Sequence, residues 1–180
     1  MSEEIIVRYC SPTLAGIKTG SLFSAEFANK MECVETLRGW NAILRKKGLR
    51  AVPLGSKNGR TPVYVYRVSK LLSDLKNSEA RCILNERGYD CDRPERCIVR
   101  LANKLKGSEF PHEIGLFLGY PPEDVSGFIN NEKCRLTGAW KVYGDEKRAE
   151  KIFAQYKKCT RIYCELFDKG KTVERFTVAG

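Results

Sequence analysis

Apolar residues recur at every third or fourth position in several long stretches, and this spacing constrains the fold more than any other feature. Such a stripe buries one side of an amphipathic helix against a core. The stripes occupy residues 21–44, 71–84, 94–105 and 145–170, and they end at or just before glycines 48, 88, 107 and 170. Because glycine readily adopts the left-handed conformation found after a helix C-terminus, the pattern predicts helices that end at these positions.

Five short segments instead favour β-strands, and turn residues separate them from the helical stripes. They are residues 5–9, 49–54, 63–67, 139–143 and 172–178. Asn58-Gly59 predicts a hairpin turn between the second and third segments, and Pro53 and Pro62 indicate that part of this hairpin lies on a sheet edge. The order of elements predicts one α+β domain over residues 1–180, with a mixed sheet of about five strands and helices packed on it.

The composition is that of a protein with a hydrophobic core, because 42% of the residues are hydrophobic. This proportion excludes disorder of the whole chain. No stretch approaches the roughly 18 consecutive apolar residues that indicate a transmembrane helix. The acidic start, Met1-Ser2-Glu3-Glu4, lacks the features of a secretory signal peptide, so we expect a cytoplasmic protein with no membrane association.

Eight cysteines are spread along the chain without any CxxC pair, and the chain has one histidine. A structural zinc site usually contains such a close pair of cysteines, and a cytoplasmic protein keeps its thiols reduced. We therefore expect free thiols, no metal site and no cofactor.

The net charge is +10, from 32 basic and 22 acidic residues. An excess of this size favours an anionic partner, which can be a small anionic ligand, an acidic protein or a nucleic acid. The basic residues are dispersed, however, since no run of five of them occurs. A solvated basic surface without a specific partner is the alternative interpretation.

Cys10 is the first candidate for a catalytic residue, because it follows the predicted strand 5–9 and precedes a predicted helix start. Ser11 suits the N-cap of that helix and Pro12 its first position. The positive end of the helix would lower the pKa of the Cys10 thiol and favour a nucleophilic thiolate. His112 is the candidate base. The structural alternative is a buried cysteine and a histidine that caps or packs against a helix.

The segment 10–23 is rich in hydroxyl groups and glycines, and it contains one lysine, Lys18. Backbone amides and a lysine in such a segment can hold a phosphate or a carboxylate. The spacing of the glycines and the lysine matches neither a P-loop nor a dinucleotide-binding motif. A purely structural turn is the alternative.

A second segment, 110–125, contains prolines and glycines that predict a bent, tightly packed corner, where His112 and Glu113 could line a pocket. We predict that this corner and the segment 10–23 together line the main concave pocket. The candidate ligand-binding residues are Ser11, Thr13, Lys18, Ser21 and Glu113.

The sequence resembles a family of uncharacterised proteins from anaerobic, clostridia-like bacteria. Three stretches carry the resemblance: Cys-Ser-Pro-Thr-Leu-Ala-Gly-Ile-Lys-Thr-Gly-Ser-Leu-Phe at 10–23, Phe-Pro-His-Glu-Ile-Gly-Leu-Phe-Leu-Gly-Tyr-Pro-Pro-Glu-Asp-Val at 110–125, and Gly-Ala-Trp-Lys-Val-Tyr at 138–143. The family is a domain of unknown function, so the resemblance implies no reaction and no catalytic residues. It associates the chain with anaerobic redox proteins and implies an acidic, flavodoxin-like protein as a partner.

Three functions remain after these observations. The first is a binding or accessory module for an anionic ligand or an acidic protein. The second is a hydrolase or transferase that uses Cys10 and His112, which requires the two side chains to meet. The third is nucleic-acid binding, because Tyr64 and Tyr66 share one face of a predicted strand near a basic hairpin tip. The sequence does not indicate an oligomeric state.

Overall fold

A three-stranded antiparallel sheet forms the centre of the structure. The computed structural model describes residues 3–56, 59–90 and 92–180. The strands are β1 (Gly20–Glu26), β2 (Leu49–Pro53) and β3 (Arg60–Arg67), in the order β1-β3-β2. The predicted hairpin of β2 and β3 is confirmed, with Pro53 on the edge strand β2. Asn58 of its predicted turn lies outside the described residues.

Nine α-helices flank this sheet in the part of the chain that is described. They are α1 (Glu4–Leu14), α2 (Lys30–Leu44), α3 (Val68–Asp74), α4 (Ser78–Glu86), α5 (Pro94–Leu105), α6 (Ile114–Phe117), α7 (Pro122–Ile129), α8 (Glu146–Asp168) and α9 (Val173–Phe176). No helix within the described ranges has both the length and the apolar character needed to cross a bilayer.

The side chains of β3 alternate between two hydrophobic clusters, one on each face of the sheet. Val63 and Val65 join a cluster built mainly from α1, α2 and α8. Tyr64 and Tyr66 join a second cluster, built from α3 to α7 and their connections. A strand with alternate residues buried on opposite faces is the natural centre of a sheet covered by helices on both sides.

A small hairpin, β4 (Leu136–Thr137) and β5 (Lys141–Val142), packs against the N-terminal half of α8. Trp140 and Val142 of this hairpin bury their side chains with Ala149. The α+β class is thus confirmed, and the five strands seen in the described ranges are divided between two antiparallel sheets.

Residues 5–9 form part of helix α1, so the predicted first strand is wrong. Ile6, Val7, Cys10 and Leu14 are all at most 1% exposed, and their spacing places them on one side of a helix. Their burial in the core outweighs the strand preference of the β-branched residues. The helix does not begin at Ser11 either, because Pro12 lies within it, two residues before its last residue, Leu14.

Two further predictions at element boundaries are corrected. The helix expected from residue 21 begins only at Lys30, where the Asn29 side chain accepts a hydrogen bond from the backbone N–H of Glu32. The preceding residues form β1 instead, in which Ser21, Phe23 and Ala25 alternate inward.

The predicted last strand, 172–178, contains the short helix α9. Its buried Val173 packs into the cluster of α1, α2 and α8, and the Thr177 hydroxyl donates to the Val173 carbonyl at 2.6 Å. The alternation of apolar residues in this segment reflects one helical turn followed by extended chain.

Candidate functional site

An apolar groove lies between β1, helices α6 and α7, and the β4–β5 hairpin. Its volume is about 360 Å³, which is in the range of small-molecule sites. Most of its lining side chains are aliphatic or aromatic, and the exceptions are His112, Asp124 and Lys141. The apolar lining includes Leu22, Phe110, Ile114, Leu118, Val125, Phe128 and Trp140.

Gly115 allows helices α6 and α7 to approach closely at the base of this groove. A Cβ atom at residue 115 would lie 2.7 Å from Cγ2 of Val125 and 3.0 Å from Cδ2 of Tyr120. The first of these distances is shorter than real side chains permit, so only glycine fits without displacing a neighbour. The bent corner predicted for residues 110–125 therefore depends on close packing around Gly115.

Asp124 fixes the β4–β5 hairpin as one wall of the groove. Its carboxylate accepts a hydrogen bond from Trp140 Nε1 at 2.7 Å. It also accepts from the backbone N–H of Tyr143 at 2.7 Å and of Gly144 at 2.8 Å. These three donors hold a side chain that is 4% exposed, so the role of Asp124 is to position Trp140.

Two cationic or titratable groups lie at the rim of the groove. His112 is exposed and contacts Phe128 edge-on, with ring centroids 4.8 Å apart. The Lys141 ammonium lies 5.2 Å from the centroid of the same Phe128 ring. Neither side chain takes part in an ion pair between described residues. The rim is therefore open to an anionic group.

A second cavity lies behind the stacked rings of Tyr120 and Trp140, whose centroids are 4.8 Å apart. It is smaller, about 180 Å³, and both rings line it as well as the groove. Asp74, Arg148 and Tyr156 also line this second cavity, which we call the polar cleft. The Tyr120–Trp140 pair thus separates an apolar groove from a polar cleft.

Cys10 is fully buried and does not line the groove. It lies in α1 within the cluster of α1, α2 and α8, whereas His112 lies at the groove on the opposite side of the sheet. Burial raises the pKa of the Cys10 thiol to about 12, and the nearby Lys18 ammonium only partly offsets this effect. The expected lowering of the Cys10 pKa is wrong, because the residue lies inside a helix and not before its N-terminus.

The three hydroxyl residues that were candidates for ligand binding are internal. Thr13 Oγ1 and Ser21 Oγ share a hydrogen bond of 2.9 Å, and the Ser11 hydroxyl donates to the Val7 carbonyl. None of the three is more than 2% exposed. The Thr13–Ser21 bond joins α1 to β1, whereas the Ser11 bond lies within α1. Of the candidates in segment 10–23, only Lys18 is partly exposed.

Glu113 is also internal, since it is 1% exposed. One carboxylate oxygen accepts hydrogen bonds from Lys104 Nζ at 2.8 Å and from the Tyr89 hydroxyl at 2.9 Å. The other lies 3.7 Å from Nη1 of Arg87. Burial alone would raise the pKa of Glu113, but these donors outweigh it and hold the pKa below its usual value. Glu113 therefore anchors the corner next to the groove.

The groove combines one predicted residue, His112, with several that the sequence analysis did not select. Leu22 of the segment 10–23 meets His112 there, whereas Cys10 does not. Phe128, Trp140 and Lys141 were missed, because no local pattern distinguishes an aromatic residue that lines a groove from one inside a core.

Comparison with known proteins identifies the family but no activity. No curated protein and no solved structure matches the chain. The family model described as a protein of unknown function (DUF3793) matches residues 6–177. This range includes all the elements that build the groove and the polar cleft. The chain belongs to the DUF3793 family of proteins of unknown function.

Proposed function

We propose that the protein is a binding module for a small organic anion with an apolar body. The apolar body would occupy the groove, and the anionic group would meet Lys141 and His112 at the rim. The observation that carries this proposal is an apolar groove of about 360 Å³ with a cationic side chain at its edge that has no acidic partner among the described residues.

The chemistry of the groove suits such a ligand for two reasons. Burial of apolar surface favours binding by about 25 cal/mol per Å² of the surface removed from water. The Lys141 ammonium adds a charge-assisted hydrogen bond, which strengthens binding only for a ligand with an anionic group. The Asp124 carboxylate is held by three donors in the β4–β5 hairpin, so it is directed toward the protein.

The alternative functions have less support. A thiol nucleophile must be ionised and accessible, and Cys10 is neither near neutral pH. Base stacking by Tyr64 and Tyr66 needs exposed rings, and these rings are 0% and 8% exposed, respectively. A thiol enzyme or a nucleic-acid-binding protein would therefore have to use residues other than those that the sequence suggested.

Calorimetric titration with 1-naphthalenesulfonate tests the proposal, with 1-naphthol as the uncharged comparison. We expect Lys141→Met to weaken sulfonate binding about fivefold, which corresponds to about 1 kcal/mol, and to leave naphthol binding nearly unchanged. Lys133→Met, which removes another exposed positive charge that does not line the groove, is the matched control. Equal sulfonate affinities for the two variants, or no saturable binding at all, would contradict the proposal.

A further inference from the structure

Lys18 projects its ammonium between two tyrosine rings at the polar cleft. The Nζ atom lies 5.5 Å from the ring centroid of Tyr120 and 5.7 Å from that of Tyr156. Aromatic faces attract a cation at this distance, and they hold the otherwise flexible side chain in place. Both rings also line the polar cleft, so the ammonium lies beside this cavity.

No acidic side chain neutralises this ammonium in the described ranges, because none of the ion pairs there includes Lys18. The same holds for Arg148, which lines the cleft from the first turn of α8. Arg148 lines the cavity and the Lys18 ammonium lies beside it, so these two positive charges outnumber the negative charge of Asp74 and favour a positive potential there.

The cleft has room for a small ion and its hydration. Its volume of about 180 Å³ is well above the roughly 10–15 Å³ that one water molecule needs. Asp74 is the acidic residue that lines it. The Thr19 hydroxyl donates to the Asp74 carboxylate at 2.5 Å and holds it in place, and burial raises the pKa of Asp74.

We propose that the polar cleft binds a small oxyanion, such as a phosphate or carboxylate group, between Lys18 and Arg148. Lys18 supplies a charge fixed by Tyr120 and Tyr156, and Arg148 supplies a guanidinium that can donate two parallel hydrogen bonds. This site is separate from the apolar groove, and it does not depend on the function proposed for that groove.

Binding in the cleft depends on pH through Lys18. Burial lowers the pKa of Lys18 to about 8, so the ammonium is present below this pH and is lost as the pH rises through it. The Cys10 thiol, which lies near Lys18, stays neutral in this range because its pKa is about 12.

The other groups around the cleft do not reproduce this dependence. Burial raises the pKa values of Tyr120 and Tyr156. Burial raises the pKa of Asp74 as well, and the Thr19 hydroxyl and the nearby Lys70 partly oppose this shift. A loss of binding near pH 8 therefore reports on Lys18.

Titration with sulfate is the test, because the charge of sulfate is constant over this pH range. We expect saturable binding at pH 7 that weakens about tenfold at pH 9, one unit above the pKa of about 8. Lys18→Met and Arg148→Met should each weaken binding at pH 7. Lys147→Met, which removes an exposed neighbouring charge that does not line the cleft, is the matched control and should have no comparable effect.

Lys18→Arg distinguishes the charge of residue 18 from a structural role, because a guanidinium keeps its charge at pH 9. This variant should retain sulfate binding at pH 9, where the unchanged protein has lost most of it. Competition by phosphate and by acetate in the same titration shows which group the cleft prefers. Equal affinities for Lys18→Met and Lys147→Met, no pH dependence between 7 and 9, or no saturable binding would each overturn the proposal.

Discussion

The groove and the polar cleft share one wall, the stacked rings of Tyr120 and Trp140, yet their chemistry differs. On the groove side the rings face aliphatic and aromatic side chains from β1, α6 and α7. On the cleft side they face Asp74, Arg148 and Tyr156, and the Lys18 ammonium lies nearby. The same pair of aromatic rings thus borders an apolar cavity and a charged one.

This comparison teaches that aromatic residues can separate two sites with opposite preferences. An aromatic face provides apolar contact area to a ligand in the groove and attracts a cation on the cleft side. Asp124 controls both cavities, because it holds the indole of Trp140 in the shared wall. Changes at the wall should therefore affect both sites, and changes away from it should affect one.

The largest effect is expected from Asp124→Ala. This change leaves Trp140 Nε1 and the backbone N–H groups of Tyr143 and Gly144 without their acceptor. Loss of a buried, multiply bonded carboxylate should lower the free energy of unfolding by about 3–5 kcal/mol. Urea unfolding measures this loss, with the exposed Glu132→Ala as the control.

Binding of naphthalenesulfonate and of sulfate should both weaken in the folded fraction of Asp124→Ala. If either ligand bound this variant as tightly as it binds Glu132→Ala, the shared wall would not control that cavity. Trp140 fluorescence should also shift to the red as the indole becomes exposed to water.

Much of the fold was predictable because local signals specify it. Helix α8 begins after Asp145, whose side chain accepts from the Arg148 N–H at 3.0 Å, and α5 begins at Pro94 as its stripe predicted. The prediction that Tyr64 and Tyr66 share one face of β3 was also correct, since the alternation of side chains along a strand is a local property. The strand predicted for residues 5–9 was wrong because a short run of β-branched residues is compatible with a strand or a helix. Contacts with α8 decide in favour of the helix.

The site was less predictable, because it depends on contacts between distant segments. The pairing of Leu22 with Tyr64 across β1 and β3 brings Leu22 toward the groove, and nothing near Leu22 in the sequence indicates this. The burial of Cys10 has the same origin, since α2 and α8 cover the face of α1 that carries it. Lys18 was selected for its local chemistry alone, and the two tyrosine rings beside it come from α8 and from the corner after α6.

A smaller effect, directed at the groove, is expected from Gly115→Ala. The added methyl group would press on Val125 Cγ2 and on the Tyr120 ring, which should cost about 1–3 kcal/mol of stability and narrow the groove. Gly39→Ala is the matched control, because a Cβ at residue 39 of helix α2 contacts nothing within 4 Å. That control should stabilise the protein by about 0.5–1 kcal/mol through helix propensity.

Gly115→Ala should also affect ligand binding in the two cavities to different extents. Naphthalenesulfonate affinity should fall more than sulfate affinity. Val125 lines the groove and not the polar cleft, whereas Tyr120 lines both cavities. Equal losses of the two affinities would mean that the Tyr120 ring moves as a whole and that the cavities are not independent.

The smallest effect is expected from Asp74→Asn, which changes the charge of the polar cleft and not its shape. An asparagine side-chain oxygen can still accept the hydrogen bond that the Thr19 hydroxyl donates to Asp74, so the local packing should be kept. Removing this carboxylate from the lining of the cleft should raise sulfate affinity by about twofold to fivefold at pH 7, a change of less than about 1 kcal/mol. Naphthalenesulfonate affinity should not change, because Asp74 does not line the groove. Calorimetric titration with both ions measures the difference, and an unchanged or lower sulfate affinity would show that the anion does not bind beside Asp74.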